Sequence, residues 1–132
     1  MSTLSPLETV KGFLKDMEAL DYGAPARWMS ADCDYLNPPP LPPVRGPEAV
    51  RGLLEPFFAP VEENVFQVLR EAENGGQVLI ERLDRHRLGD RWVELPVTGL
   101  FQVEGGKITY WRDYFDAATI LSQWPASAGG AA

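Results

Sequence analysis

Two carboxyl groups and one guanidinium stand out in the second half of the chain, where apolar and polar residues alternate. Strand alternation puts Val78, Ile80, Arg82 and Asp84 on one face, and Leu79, Glu81, Leu83 and Arg85 on the other. Both faces are mixed, so parity alone does not decide which is buried. If the Val78 face turns inward, Arg82 and Asp84 enter as a pair, which lowers the cost of burying either. If it turns outward, they form a solvated ion pair of little worth. Asp113 shares a face with Thr109, Trp111 and Phe115. A carboxyl between a Trp and a Phe is desolvated, which raises its pKa unless a cation compensates. Arg82 is that cation if the two strands are neighbours; an edge-strand ion pair with Arg112 or Lys107 is the alternative. An Asp–Arg–Asp set has a chemical use, because one carboxyl can accept a proton while the other donates one if their environments differ. Tyr35 and Asn37, two apart on another strand, can hold one water between them, each by one hydrogen bond.

Other chemistries are excluded by count. Cys33 is the one cysteine, so no internal disulfide forms, and with no histidine nearby in sequence it reads as a small buried apolar residue. His86 is the one histidine, which excludes a His/Cys zinc cluster. It follows Asp84 on the same face and is expected near the mouth of a pocket. No phosphate-cradling glycine loop is present, and neither cofactor nor metal is expected. Twelve basic against nineteen acidic residues give a formal net charge of −7. That charge argues against a nucleic acid partner and against an anionic membrane surface. No apolar run approaches the ~20 residues of a membrane span, and no leader pattern opens the chain. The expected setting is cytoplasmic.

The elements that must position these groups read as follows. A length of 132 residues suits one α+β domain over residues 1–125, with an Ala/Gly/Ser tail over 126–132 expected to fray. Ser5, Pro6 and Glu8 form a helix start with a capping box, and Leu7, Val10, Phe13, Leu14, Met17 and Leu20 recur at helical spacing behind it. A short helix is predicted from about Pro25 to Met29, and a strand from Cys33 to Asn37. Five prolines between 38 and 43 then impose a stiff extended loop. Gly46-Pro47-Glu48 opens a third helix, which Pro56 should distort or end. Strands are predicted over 62–72, 76–87, 91–103 and 107–115, joined by glycine turns at 74–76, 88–90 and 104–106. A long curved sheet with helices on one side makes a cone with an internal pocket.

Four segments together resemble the limonene-1,2-epoxide hydrolases, within the cone-shaped superfamily that includes ketosteroid isomerase and SnoaL-like (NTF2-like) proteins. Asp34-Tyr35-Leu36-Asn37 followed by Pro40-Leu41-Pro42-Pro43 is similar to the family's Tyr-x-Asn strand and proline loop. Glu81-Arg82-Leu83-Asp84 is similar to its Arg-x-Asp strand. Gly99 to Val103 with the Gly-Lys-Ile at 106–108 is similar to its hairpin, and Trp111 to Asp116 to its terminal strand.

The resemblance implies direct hydrolysis of an epoxide, without a covalent ester. Asp113 is then the general base on a water held by Tyr35 and Asn37, Asp84 the protonated general acid, and Arg82 the bridge between the carboxyls. The lining is expected to be apolar, with Trp28, Met29, Leu36, Leu41, Val78, Ile80, Leu95, Leu100, Phe101 and Trp111 as candidates. The implied partners are a small apolar, cyclic or terpene-like epoxide, water, and a second copy of the chain in a homodimer. An epoxide-opening cyclase, a ketosteroid-isomerase-like isomerase and a non-catalytic ligand-binding module are the alternatives on the same scaffold.

Overall fold

A computed structural model describes residues 4–125; the tail expected over 126–132 lies outside them. The first helix, α1 (Pro6–Glu18), begins with the expected capping box. The Ser5 hydroxyl accepts from the Glu8 amide at 3.1 Å, and the Glu8 carboxylate accepts from the Ser5 amide at 2.8 Å. Its apolar stripe, Val10, Phe13, Leu14 and Met17, is buried. A short helix, α2 (Ala24–Trp28), leads directly into β1 (Met29–Leu36). This strand starts four residues before the expected Cys33, because its N-terminal end pairs in parallel with a later strand, Met29 opposite Ile108. The propensities of Ser30, Ala31 and Asp32 do not signal this, since the partner strand supplies the pairing.

The proline segment is followed by a two-residue strand, β2 (Val44–Arg45), which the composition does not suggest. Arg45 lies opposite Asp34 and donates to its carboxylate at 2.9 Å. The third helix, α3 (Pro47–Phe58), runs two residues past Pro56. Proline removes the amide that would bond back to Gly52, but this falls in the last turn, where the helix is ending anyway. The remaining strands are β3 (Glu63–Asn74), β4 (Gln77–Leu88), β5 (Arg91–Glu104) and β6 (Lys107–Tyr114). A final helix, α4 (Ala117–Gln123), is an addition to the expected elements; Asp116 caps it by accepting from the Ala118 amide at 3.0 Å.

The six strands of the described residues form one mixed sheet in the order β2-β1-β6-β5-β4-β3. Within it β1 and β6 run parallel, while the long hairpins of β3 to β6 are antiparallel. The helices cover one face. Phe13 meets Trp111 edge-on with ring centroids 5.2 Å apart, and Val78, Ile80, Val93 and Phe101 are buried beneath the same layer. The Val78/Arg82 face of β4 is therefore the inner one, a choice that parity alone leaves open. No helix among the described residues is long and apolar enough to cross a membrane.

Phe13 is wholly buried and Leu121 is 54% exposed. Phe13→Ala is expected to lower unfolding free energy by ~3–5 kcal/mol, and Leu121→Ala by less than ~0.5 kcal/mol, as read by chemical denaturation.

Candidate active site

Asp113 lies on β6 and the Arg82/Asp84 pair on β4, and β5 runs between them. The two strands are not neighbours, contrary to the condition under which Arg82 is expected to compensate Asp113. The guanidinium reaches Asp113 by crossing β5 at Gly99, which is opposite Asp113 on one side and Ile80 on the other. A Cβ at Gly99 would stand 2.7 Å from Arg82 Nη1 and 2.9 Å from Asp113 Oδ1. Only the missing side chain leaves room for the bridge. A glycine inside a strand signals close approach by another group, and that signal is present in the sequence.

The bridge is fully buried. Arg82 Nε and Nη2 donate to Asp84 Oδ1 and Oδ2 at 2.7 and 3.2 Å. Nη1 and Nη2 donate to Asp113 Oδ1 and Oδ2 at 3.3 and 2.8 Å. All three side chains are at most 8% exposed. The Phe66 ring lies under the guanidinium, 5.5 Å from centroid to Cζ. Burial disfavours the charge on Arg82, but the two carboxyls outweigh it and hold the guanidinium protonated. One positive charge cannot neutralise two negative ones, so the site favours one carboxyl in its neutral form.

The surroundings select Asp84 for that form. Burial raises its pKa to about 6; Arg82 opposes the shift, while Asp113 and Glu18 add to it. On the neighbouring β5 it faces Leu95. Asp113 instead receives a further donor, the Trp111 indole Nε1–H, at 2.8 Å. Counting Trp111 as apolar lining misses this donor, although Trp111 and Asp113 share a face. Tyr35 lies opposite Trp111 across the parallel β1–β6 pair and stacks on it, with centroids 3.8 Å apart. Burial, and then the Asp113 charge, push its pKa up, so the phenol stays neutral. The Asn37 side chain opposes that rise.

The structure brings Val78, Ile80, Leu95, Phe101 and Trp111 onto the inner face with the triad, all of them buried. It divides the other expected lining residues. Leu100 lies on the outer face, in a groove of about 620 Å³ that also holds Asp32, Arg45 and Tyr110. Alternation requires this, because Gly99 and Phe101 point inward. Leu36 is turned away from Tyr35 and Asn37 for the same reason. Leu41 is 43% exposed in the proline segment. The Trp28 ring is drawn to α1, where it packs over Gly12 and its Nε1 donates to Asp16 at 2.7 Å. Met29 is buried at the opposite end of β1 from Tyr35. His86, expected near the mouth of a pocket, is 2% exposed. Cys33 is buried, and burial pushes its thiol up to about 12, which keeps it unreactive at neutral pH. Among the described residues no group of His, Cys, Asp and Glu is arranged to hold a metal ion.

The family of limonene-1,2-epoxide hydrolase catalytic domains matches residues 4–126. The chain belongs to the limonene-1,2-epoxide hydrolase family. As an epoxide hydrolase of that type, it is 33% identical over 107 residues to epoxide hydrolase EphG of Mycobacterium tuberculosis, covering 81% of this chain and 70% of that one. A solved LEH-like epoxide hydrolase of M. tuberculosis superposes with a TM-score of 0.76 at 29% identity, covering 89% of this chain and 87% of that one. A SnoaL-like polyketide cyclase from Shewanella denitrificans superposes with a TM-score of 0.80 at 16% identity, covering 89% and 95%. That likeness, with those to other NTF2-like proteins, defines the fold as NTF2-like.

Removing one partner of a buried ion pair is worth ~3–5 kcal/mol, so Arg82→Leu should destabilise by about that amount at pH 7. Asp84 has a folded pKa above its unfolded value near 3.8, so the folded state binds the proton more tightly and acidification relieves its burial. The Arg82→Leu deficit should therefore shrink as pH falls from 7 towards 5, as read by denaturation at each pH. Gly99→Ala should also destabilise, with an added Cβ forcing apart the Arg82–Asp113 contact.

Proposed function

We propose that this chain hydrolyses a small, largely apolar, cyclic or terpene-like epoxide to a vicinal diol by direct attack of water. The observation that carries the reading is the single guanidinium shared by two buried carboxyls of unlike surroundings. Asp113, which also accepts from Trp111, acts as the general base; Asp84, raised towards its neutral form, acts as the general acid. Tyr35 and Asn37 orient the water. As attack begins, the water gives a proton to Asp113 and its oxygen bonds to an epoxide carbon. The ring C–O bond breaks, and the departing oxygen takes the Asp84 proton. The net charge of the carboxyl pair does not change, so Arg82 stabilises both ends of the step. A proton then returns from Asp113 to Asp84 to reset the site.

Water is a poor nucleophile at neutral pH, and a positioned base and acid contribute ~10²–10⁴ each. Holding the water adds an entropic saving. We further propose that the catalytic unit spans residues 1–125 and works in the cytosol as a homodimer. The supporting observations are the buried free thiol of Cys33 and the exposed Leu69, Leu79 and Tyr114 on β3, β4 and β6.

The direct test is a single turnover on limonene oxide, cyclohexene oxide and styrene oxide in ¹⁸O-labelled water. Label in the diol on the first turnover is the expected result; label entering the enzyme instead would mean a covalent ester. Asp113→Asn and Asp84→Asn should each lower kcat by at least ~10²-fold. Tyr35→Phe should be milder, because Asn37 remains to hold the water. Asp84 loses its proton as pH rises through about 6, so log kcat/KM should fall above that value with a slope approaching −1. A profile flat from pH 5 to 8 would remove Asp84 from the acid role.

A further inference from the structure

Beyond Asp84 on the inner face of β4 comes His86, and its surroundings are unlike the apolar lining elsewhere. It is 2% exposed and stands among Phe57, Phe58 and Trp124, with ring centroids 5.4–6.2 Å away. Its cross-strand partner is Asn64. The Asn64 amide nitrogen donates to the Met17 carbonyl at 3.0 Å, which fixes the orientation of the carboxamide. The Asn64 oxygen therefore faces His86 Nδ1 at 2.7 Å and accepts a hydrogen bond from its N–H. That leaves Nε2 as the acceptor nitrogen of the ring. Burial and the Arg82 charge hold the ring neutral, with its pKa lowered to about 4.

The second observation is a donor that finds no acceptor among the described residues. Trp124 is 7% exposed, and its Nε1–H is buried without a hydrogen-bond partner among the described residues. A buried unpaired donor costs ~1–3 kcal/mol and calls for an unseen acceptor. The Trp124 ring stacks on Phe57 and stands at 70° to His86, with centroids 6.2 Å apart. A fixed acceptor and an unpaired donor in one aromatic cluster match a group that both donates and accepts. A hydroxyl does so with a single oxygen.

We propose that His86 and Trp124 read a hydroxyl group on the substrate, held away from the reacting epoxide, and so determine specificity. The inference rests on the hydrolase reading and narrows its substrate to a hydroxylated epoxide. Alternate residues of a strand are ~6.8 Å apart, which sets the reach required from the epoxide oxygen at Asp84 to the hydroxyl at His86. A ring carrying its hydroxyl on a substituent across from the epoxide meets this; a hydroxyl adjacent to it does not.

The test compares 1,2-epoxy-p-menthan-8-ol with 1,2-epoxy-p-menthane, which differ by that one hydroxyl. The wild type should favour the hydroxylated epoxide by about 10-fold or more in kcat/KM, the equivalent of ~1.4 kcal/mol. His86→Phe and Trp124→Phe should each bring the ratio close to one. A wild-type ratio near one, or a preference that survives both substitutions, overturns the proposal. A second arm does not depend on turnover. His86 is the one histidine of the chain, so its ¹⁵N signals are unambiguous. Unreactive p-menthan-8-ol should move the Nε2 resonance upfield, and p-menthane should not. No shift with the alcohol means that water alone fills the site, and it also overturns the proposal. If neither epoxide is hydrolysed, the hydrolase reading fails while this arm still decides the subsite.

Discussion

The arrangement of this molecule depends on one cation shared by two buried acids. Arg82 commits all three of its side-chain nitrogens to Asp84 and Asp113, in a layer closed by helices on one side and by the sheet on the other. Three ionisable groups in such a place are tolerable only as a set. Leaving any one of them unpaired exposes a charge to low dielectric, and the penalty is several kcal/mol. The strand order, the glycine in β5 and the aromatic ring under the guanidinium are all conditions for keeping that set together.

The same arrangement gives two chemically identical side chains different surroundings. Both carboxyls face the same guanidinium, so the cation by itself does not distinguish them. The difference comes from the outer contacts. Asp113 accepts a further hydrogen bond, from the Trp111 indole N–H. Asp84 faces Leu95 across the sheet and feels the negative charge of Glu18, which favour its neutral form. Glu18 is itself held in place at the end of α1 by the Phe66 amide, at 2.7 Å. A helix terminus remote in sequence thus takes part in setting the protonation state of a residue on β4.

The local features are legible in the order of the residues. The α1 cap, the apolar stripe behind it, the four long strands and their glycine turns all follow from interactions between residues a few positions apart. The features that escape such a reading are set by distant partners. The early start of β1 depends on Ile108, and β2 exists because Arg45 meets Asp34. Two expected lining residues, Leu36 and Leu100, face away from the site because strand parity overrides their hydrophobicity. Trp28 is held by Asp16 on α1. The Trp111–Asp113 bond and the gap at Gly99 do leave signals in the chain, a shared strand face and a glycine in mid-strand, but neither says which group will fill the space.

This division has a physical origin. The residue types of an acid–base set, the alternation that puts Arg82 beside Asp84 and Trp111 beside Asp113, and the helix caps and turns are all carried by the chain alone. They depend on covalent spacing and short-range sterics, which are the same in any fold. Which face of β4 is buried, that β5 separates the two acids, and that a guanidinium crosses it at Gly99 are settled by the packing of the whole domain. Charge burial, and the pKa differences that follow from it, are properties of the packed interior. They arise only when strands far apart in the chain exclude water from the space between them.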